Sequence, residues 1–384
     1  MASAVFGRRI HIAGSLPKES VVGTAEAKRA REFVQILVKE LMRKGATFVL
    51  PVDAEKKRTD EVPFCFEWLI WTTIGQNLHL RPRNAPAPLA IGVKHHKSDD
   101  QIPDEHVEFW DAFSRTDNVR IEHAAHWNMN SKRMELQARH GDILITVGGG
   151  EGVLFLANAY HDAGKPVIPV NFPVSDPGSG TQRICEFADA GNAKKLFRTT
   201  DGNTVQTWLS RIKPLARIEP VKVAATVIEL LEVIERPTAF VVRLLNPDLP
   251  DYGVVQEFFE VVVKPVIEEE YGYLLAVVDG KQEVEQSRID QDIFCKLKRS
   301  GLVIADLTGE RPNCFLELGY ALGRSARTVV TFREGTKAPF DVTTYAAHVW
   351  KPSGDISERR ARFREHLESI KARPPIVSDD PLIP

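Results

Sequence analysis

Short apolar runs alternate with longer stretches of helical spacing along much of the chain. Arg9–Ala13 and Thr47–Leu50 are predicted strands, because each run is too short for a helix and is followed by turn-forming residues. The stretch between them, about Thr24–Lys44, is a predicted helix whose apolar face is formed by Val34, Leu37, Val38 and Leu41. This strand–helix–strand order indicates an α/β fold.

The same alternation continues downstream. Further strands are predicted at Leu89–Val93, Asp142–Val147 and Val167–Val170. Phe64–Ile74 is a predicted helix, and its tryptophans, Trp68 and Trp71, are expected to lie in the core rather than to stack on a base.

The second half of the chain repeats the pattern. Its predicted strands are Thr238–Leu245, Tyr273–Val278, Leu302–Ala305 and Thr328–Phe332. Val254–Glu270 is a predicted helix that we expect to kink at Pro265, because proline lacks the N–H that the helix ladder needs. The predicted fold is therefore α/β, with two Rossmann/flavodoxin-like parallel-sheet domains at residues 1–205 and 237–384 and a helical linker at 206–236.

Composition predicts an ordinary globular protein. Of 384 residues, 43% are hydrophobic and 27% are charged, and the net charge of −2 gives no global electrostatic case for binding nucleic acid. No apolar run is long enough to span a membrane and no export signal is evident, so we expect a cytoplasmic protein.

The cysteines and histidines show no spacing typical of a metal site. The four cysteines are scattered without a CxxC pair, and we expect them to be reduced. The adjacent His95 and His96 follow a predicted strand and would point apart, so we expect both to be exposed rather than metal ligands.

Gly301–Arg324 contains the most informative pattern, a buried strand that ends at Asp306, a polar loop, and a helix from about Asn313. Glu317 lies in the first turns of that helix, off its apolar face. The partial positive charge of the helix N-terminus favours an ionised carboxylate there. Such a group suits stabilising or trapping an oxocarbenium-like centre when a sugar–base bond breaks. From spacing alone, the alternative is a surface glutamate that only complements the helix dipole.

The string IADLTGERPNCFLELGYALGR resembles the signature of the nucleoside 2-deoxyribosyltransferase-like proteins, which share a flavodoxin-like core with TIR domains. The resemblance extends over about Thr238–Phe332. It implies that Glu317 matches the glutamate that attacks the sugar in the transferases. TIR enzymes use a glutamate on a comparable helix to cleave NAD, so the resemblance leaves open which glycosidic bond is cut.

Polar residues at the carboxyl ends of the predicted strands are candidates for binding substrate, because ligands of open parallel sheets gather there. The resemblance implies this role for Arg243, Asn246 and Asp279. Asp306 is expected to hydrogen-bond a ribose hydroxyl or, alternatively, to cap its own loop. Asn313 is expected to act first as a helix N-cap and second as a ligand contact.

A second ligand site is predicted at the glycine-rich turn Gly148–Gly152, which joins the strand Asp142–Val147 to a predicted helix at Val153–Ala163. Glycines at such a junction let the backbone approach a phosphate or ribose, and the helix N-terminus favours an anion. A tight turn without a ligand is the alternative.

Arg133, followed by DILITVGGGEG, a helix and GKPVIPV, resembles the LOG/SLOG superfamily of Rossmann-like nucleotide-binding domains over about residues 8–172. The glutamate of LOG enzymes falls on Leu156 and the usual threonine on Val153, which argues against LOG-type hydrolysis. The pattern fits the SLOG domains that accompany TIR and sirtuin domains and sense a nucleotide. The resemblance implies a signal-nucleotide site at Gly14, Ser15, Arg133, Gly149, Gly150, Glu151 and Gly152.

Together these resemblances imply a signal-gated anti-phage effector of the Thoeris or CBASS type. A cyclic nucleotide or ADP-ribose-type messenger would bind the SLOG-like domain. The TIR-like domain would then cleave the N-glycosidic bond of NAD, its substrate, without a cofactor or metal and as a homo-oligomer. Two alternatives remain: a nucleoside or deoxynucleotide N-glycosidase or deoxyribosyltransferase, and a non-enzymatic nucleotide-binding scaffold in which Glu317 is structural.

Overall fold

The apolar runs of the first half form a parallel sheet in the computed structural model. Its strands are β1 (Arg9–Ser15), β2 (Thr47–Pro51), β3 (Ala90–Lys94), β4 (Val119–His123), β5 (Ile143–Gly148) and β6 (Val167–Val170). They pair in parallel in the order β4-β3-β2-β1-β5-β6. Because β2 and β5 lie on opposite sides of β1, the direction of sheet growth reverses there, and this is the switch point at which open α/β sheets bind ligands.

The structure describes residues 3–83, 85, 87–124, 126–170, 172, 174, 178–198, 218–234, 236–278, 293–294, 296–297, 300–323, 326–336 and 346–371. The chain divides into two compact units, an N-terminal unit of Ser3–Glu235 and a C-terminal unit that begins at Arg236. Residues 206–217 and 235 of the predicted linker lie outside the described residues.

Helices cover the N-terminal sheet: α1 (Thr24–Arg43), α2 (Glu67–Gln76), α3 (Asp104–Phe113), α4 (Met129–His140), α5 (Glu151–Asp162), α6 (Gly180–Phe187), α7 (Ala193–Phe197) and α8 (Pro220–Val233). Short 3-10 turns lie at Leu78–Leu80 and Asp99–Gln101, and a π turn lies at Ala188–Asn192. The predicted apolar face of α1 is fully buried. Since α8 packs against α1, this described part of the predicted linker belongs to the N-terminal unit.

Strand β4 is absent from the sequence predictions, and its position explains why. It lies at the edge of the sheet next to β3, and four of its five residues are only half-buried. An edge strand does not need the continuous apolar run that marks strands buried on both faces. The same holds for the short edge strand of the second sheet, described next.

The C-terminal unit is built around a second parallel sheet. Its strands are β7 (Thr238–Val242), β8 (Leu274–Val277), β9 (Leu302–Asp306), β10 (Thr328–Arg333) and β11 (His348–Trp350). They pair in parallel in the order β11-β10-β9-β7-β8. The helices α9 (Tyr252–Phe258) and α11 (Ile356–Lys371) pack on one face, and α10 (Pro312–Gly323) packs on the other. The predicted fold class, two parallel-sheet α/β domains, is therefore confirmed.

Pro265 changes the helix in which it lies. After α9 the chain continues in wider π turns at Phe259–Val263 and Pro265–Glu270. In an α-helix the N–H of residue 265 would donate to the carbonyl oxygen of Val261. Proline has no N–H, so this hydrogen bond cannot form. Arg360 of α11 donates from Nε to that carbonyl oxygen at 2.8 Å. The predicted irregularity at Pro265 is thus a widening of the helix.

Asp306, the last residue of β9, joins three strands at their carboxyl ends. Its Oδ2 accepts hydrogen bonds from Thr331 Oγ1 of β10 at 2.7 Å and from Trp350 Nε1 of β11 at 2.8 Å. Its Oδ1 accepts from the backbone N–H of Thr308 at 3.1 Å. The Trp350 ring also stacks on Phe258, with ring centroids 4.4 Å apart, so the carboxyl group ties the sheet to α9.

None of the helices in the described ranges combines the length and apolar character needed to cross a membrane.

Replacing Gly14 by alanine should destabilise the N-terminal unit. An added Cβ would lie 1.9 Å from the carbonyl oxygen of Val147 on β5, so the paired strands would have to separate. We expect a loss of about 1–3 kcal/mol in the free energy of unfolding, measured by urea denaturation. Gly152→Ala is the control, because its Cβ would meet nothing closer than 3.9 Å and alanine favours the helix. Equal stability of the two variants would contradict the steric argument.

Replacing Asp306 by alanine should unfold the C-terminal sheet at lower denaturant concentration. The substitution leaves the buried donors of Thr308, Thr331 and Trp350 without an acceptor, which costs at least about 2 kcal/mol. Chemical denaturation followed by tryptophan fluorescence measures the loss. The exposed Asp248→Ala is the matched control and should change stability by less than about 0.5 kcal/mol.

Candidate functional site

Glu317 lies on α10, close to the carboxyl end of β9. The helix begins at Pro312, so Glu317 is in its second turn and is half-buried. Burial raises the pKa of Glu317 to about 7. From the sequence, the helix N-terminus is expected to keep this carboxyl group ionised. In the structure desolvation outweighs that effect, so a substantial fraction is protonated at neutral pH.

Cys314 lies one turn before Glu317 and links it electrostatically to Asp306. Burial raises the pKa of the Cys314 thiol to about 12, with smaller contributions from the negative charges of Glu317 and Asp306. The thiol is therefore neutral at physiological pH and unsuited to act as a nucleophile. Glu317, with its pKa of about 7, changes charge near neutrality.

The buried carboxyl group of Asp306 is already engaged within the protein. Its side chain is inaccessible to solvent, and burial raises its pKa while the hydrogen bonds from Thr331, Trp350 and Thr308 oppose the rise. The contact with Thr308 is the loop-capping alternative considered from the sequence. In this structure Asp306 supports the sheet edge on which Arg243 and Glu317 lie.

Arg243 directly follows β7, and its side chain is partly buried. Its Nε and Nη1 atoms are buried and have no hydrogen-bond partner among the described residues. The guanidinium carbon lies 5.1 Å from the centroid of the Phe259 ring. Burial lowers the pKa of Arg243, and the charges of Tyr252, Glu260 and Asp306 oppose that shift. Unpaired buried donors on a cation favour an anionic ligand such as a phosphate.

The other predicted substrate residues of this unit differ in their surroundings. Asn246 is exposed, and its Oδ1 accepts from the backbone N–H of Asp248 at 3.0 Å in a local turn. Asn313 is exposed and lies inside α10, whose first turn closes on the carbonyl of Arg311. The prediction that Asn313 caps the helix is therefore wrong by two residues. Asp279 lies outside the described residues.

The glycine-rich turn of the N-terminal unit lies at the switch point between β1 and β5. Ser15 pairs with Gly148, and its carbonyl oxygen accepts from the N–H of Gly149 at 2.9 Å. Gly149 has φ +80, a left-handed conformation that glycine adopts without strain. Gly150 caps α5, and a Cβ added there would meet nothing within 4 Å. Close packing thus explains why Gly14 and Gly149 are glycines, because an added Cβ would clash at both positions. At Gly150 there is space for a side chain or a ligand.

Glu151 and Gly152 begin α5 at the exposed end of this turn. The Glu151 side chain is 86% exposed and pairs with Arg183 at 3.1 Å. This exposed pair contributes little to stability. Gly150, Glu151 and Gly152 are all exposed, so the N-terminus of α5 is accessible from solvent.

Arg133 of α4 pairs with Asp53, which lies in the loop after β2. Arg133 Nη1 lies 2.5 Å from Asp53 Oδ2, and Arg133 Nε is buried without a hydrogen-bond partner among the described residues. The buried tryptophans of α2 hold this loop, since Trp68 Nε1 donates to the Asp53 carbonyl at 2.8 Å and Trp71 Nε1 to that of Pro51 at 3.0 Å. Their predicted place in the core is confirmed.

His95 follows β3 and lies near the same pair. Its Nε2 is 3.9 Å from Asp53 Oδ1, and its side chain is only 4% exposed. The expectation that His95 is exposed is therefore wrong, whereas His96 is exposed as predicted. Burial and the positive charge of Arg133 lower the pKa of His95. His95 thus completes a polar group at the carboxyl ends of β2 and β3.

Glu67, the first residue of α2, is a titratable residue near Arg133 that the sequence patterns do not single out. Burial raises its pKa to about 7, against the opposing influence of Arg133. Cys65 lies between Glu67 and the switch point. It hydrogen-bonds the Glu67 side chain, and its backbone forms an isolated antiparallel β-bridge with that of Ser15. Glu67 is not predicted as a functional residue because it lies in an apolar, tryptophan-bearing segment that is predicted to be core. The one sequence feature that could have indicated it is an acidic residue at the start of such a segment.

A known protein family matches the N-terminal part of the chain. Residues 5–233 match the family described as "ATP nucleosidase Cap17-like, N-terminal". No curated protein matches the chain. The X-ray structure of TM1055, a structural-genomics target, is 16% identical, covers 47% of this chain and 81% of its own, and has a TM-score of 0.26, too low to carry an argument. Because the family match spans more than half of the sequence, this chain belongs to the Cap17-like ATP nucleosidase family.

Proposed function

We propose that this protein is a nucleosidase of anti-phage defence that hydrolyses the N-glycosidic bond of an adenine nucleotide, with Glu317 as its catalytic carboxylate. Family membership supports the reaction class. The observation that carries the choice of residue is the half-buried carboxyl group of Glu317, whose pKa of about 7 lets it act near neutral pH.

Breaking an N-glycosidic bond places positive charge on the sugar carbon C1′ and the ring oxygen. The ionised Glu317 would stabilise that charge or bond to C1′. The base leaves with the bonding electrons, and water supplies the hydroxyl group that remains on C1′. The other proton of that water goes to adenine when ATP is cleaved, and it is released to solvent when nicotinamide leaves NAD as a neutral base. Two buried N–H groups of Arg243 have no acceptor in the part of the chain that the structure describes, and they suit a phosphate of the substrate. Asn246, Asp279 and Asn313 are further proposed contacts to the substrate. Asp306 would support the site through its hydrogen bonds to Thr308, Thr331 and Trp350.

Two adenine nucleotides are the candidate substrates. ATP is favoured by the name of the family that matches the chain. NAD is favoured by the resemblance of the segment around Glu317 to TIR enzymes. Hydrolysis of ATP would release adenine, whereas a TIR-like reaction on NAD would release nicotinamide, so identifying the released base separates them.

The N-terminal unit is proposed to sense the signal. A cyclic nucleotide or ADP-ribose-type messenger would bind at the switch point, as in SLOG domains, and raise the activity of the C-terminal TIR-like unit in a homo-oligomer. Its proposed contacts are Gly14, Ser15, Arg133, Gly149, Gly150, Glu151 and Gly152. The open side of the turn at Gly150 and the accessible N-terminus of α5 support an anionic ligand there.

A second candidate places the nucleosidase centre in the N-terminal unit. The family match covers residues 5–233, which include Glu67 but not Glu317. Glu67 also has a pKa of about 7, and Arg133 and Asp53 lie within electrostatic reach. In this alternative Glu67 would protonate the leaving base or activate water, and Glu317 would not be catalytic.

Glu317→Gln should lower base release from ATP or NAD at least about 100-fold, because the amide cannot supply negative charge to the sugar cation. In the wild-type protein the rate should fall about tenfold per pH unit below the pKa of about 7, as the carboxylate is protonated. Chromatographic analysis of released adenine and nicotinamide, from pH 5 to 9 and with and without cyclic nucleotides, measures both effects.

Glu310→Gln is the matched control, since Glu310 is exposed in the loop just before α10. It should leave base release unchanged. Glu67→Gln separates the two locations of the centre. If Glu67→Gln abolishes base release and Glu317→Gln does not, catalysis belongs to the N-terminal unit and the role of Glu317 is refuted.

Arg133→Ala should impair activation by the signal and leave the fold intact. Removing the guanidinium deletes the cation of the site, and the loss of charge-assisted hydrogen bonds should raise the messenger concentration for half-activation at least about tenfold. Titration of base release against cyclic nucleotides gives this value. Lys132→Ala is the control, because Lys132 lies next to Arg133 on α4 and pairs with Glu135 of the same helix, at 3.5 Å. A full response in Arg133→Ala would remove Arg133 from the sensor site.

A further inference from the structure

A cluster of metal-ligating side chains lies on the same loop as Asp53 and at the start of α3. One carboxylate oxygen of Glu55, one of Glu105 and one ring nitrogen of His106 all lie within 4.8 Å of one another. Glu55 and His106 are 51 positions apart, so no local spacing in the sequence reveals the cluster. The fold assembles it by placing the loop after β2 against the first turn of α3.

Glu55 is the most informative member. Its side chain is 4% exposed. Among the described residues, its carboxylate receives one hydrogen-bond contact, a long one of 3.4 Å from His106 Nε2, which belongs to the cluster itself. A carboxylate taken out of water without strong partners is costly. A cation bound between these groups would supply the missing interaction.

The ligand side chains are held in place by their surroundings. The ring of His106 stacks on Trp68, with centroids 4.7 Å apart and planes 11° from parallel. The loop that carries Glu55 is closed by hydrogen bonds from the N–H of Phe64 to Lys56 O and from that of Arg58 to Val62 O, each 2.9 Å long. The cluster therefore needs little reorganisation to bind an ion.

Lys57 occupies one edge of the cluster. Its Nζ lies 2.9 Å from Glu105 Oε1. The charges of Lys57 and Arg31 also act on Glu55. Among the described residues neither donates a hydrogen bond to Glu55, since Lys57 pairs with Glu105 and Arg31 donates to the carbonyls of Pro63 and Cys65. Lys57 thus competes with any cation for the Glu105 carboxylate. When an ion binds, it would replace the Lys57 ammonium group at Glu105.

We propose that Glu55, Glu105 and His106 form a binding site for a divalent transition-metal ion, with Zn²⁺ bound more tightly than Mn²⁺. Two carboxylates and one imidazole are a donor set that suits these ions, and such nitrogen and oxygen sites follow the order in which Zn²⁺ exceeds Mn²⁺. Three protein ligands leave coordination positions for water or another oxygen ligand. The proposal is independent of which unit carries the nucleosidase centre.

Calorimetric titration of the tag-free, chelator-treated full chain with ZnCl₂ and MnCl₂ tests the site. One high-affinity Zn²⁺ ion per chain is expected. Glu55→Gln and His106→Gln should each weaken its binding at least about tenfold, since each removes a ligand. Lys57→Gln should tighten binding at least about fivefold, because it removes a competing charge from Glu105. His126→Ala, which removes an exposed histidine elsewhere, should change nothing.

The opposite signs of these effects distinguish the site from adventitious binding. Unchanged Zn²⁺ affinity in Glu55→Gln and His106→Gln, or weaker affinity in Lys57→Gln, would overturn the proposal. X-ray absorption of the Zn²⁺-loaded wild type should show nitrogen and oxygen ligands with an imidazole. A sulfur ligand would assign the ion to Cys65 or another thiol and would also overturn it. Urea denaturation verifies that each variant is folded.

Discussion

Burial of carboxyl groups at the carboxyl ends of parallel strands is the constraint on which both units depend. A buried carboxyl group must find donors or give up its charge. Asp306 finds three donors and holds the C-terminal sheet together. Glu317 and Glu67 find too few to offset their desolvation, and their pKa values rise to about 7. Burial raises the pKa of Asp306 as well, but its three hydrogen bonds commit that carboxyl group to the fold, whereas Glu317 and Glu67 change charge near neutral pH.

Parallel topology explains why these groups gather where they do. Every strand delivers its following loop to the same edge, so residues far apart in sequence, such as Asp53 and Arg133, meet there. The glycine turn at β5 lets the switch point close tightly, because Gly14 and Gly149 leave no room for side chains. The rigid interior then fixes the edge, as shown by the tryptophans of α2 that hold the backbone of the loop after β2.

Most of the architecture could be predicted from the sequence, because strands buried on both faces and amphipathic helices impose regular patterns. The edge strand β4 imposes no such pattern and was missed. The site was predicted less completely. The position of Glu317 in the α10 segment followed from a motif, but its charge state depends on desolvation, which only packing determines. Glu67 and the Glu55–His106 contact arise from tertiary proximity, and no local spacing encodes them.

The two guanidinium groups differ in a way that bears on which unit reacts and which one senses. Arg133 is already paired with Asp53, so an anion that binds there must compete with that ion pair for the guanidinium group. Arg243 has two buried N–H groups without acceptors among the described residues, so an anion gains hydrogen bonds without breaking any. The first arrangement suits a switch, which must have two states of similar energy. The second suits a preorganised reaction site, which is why we place sensing at Arg133 and catalysis beside Arg243.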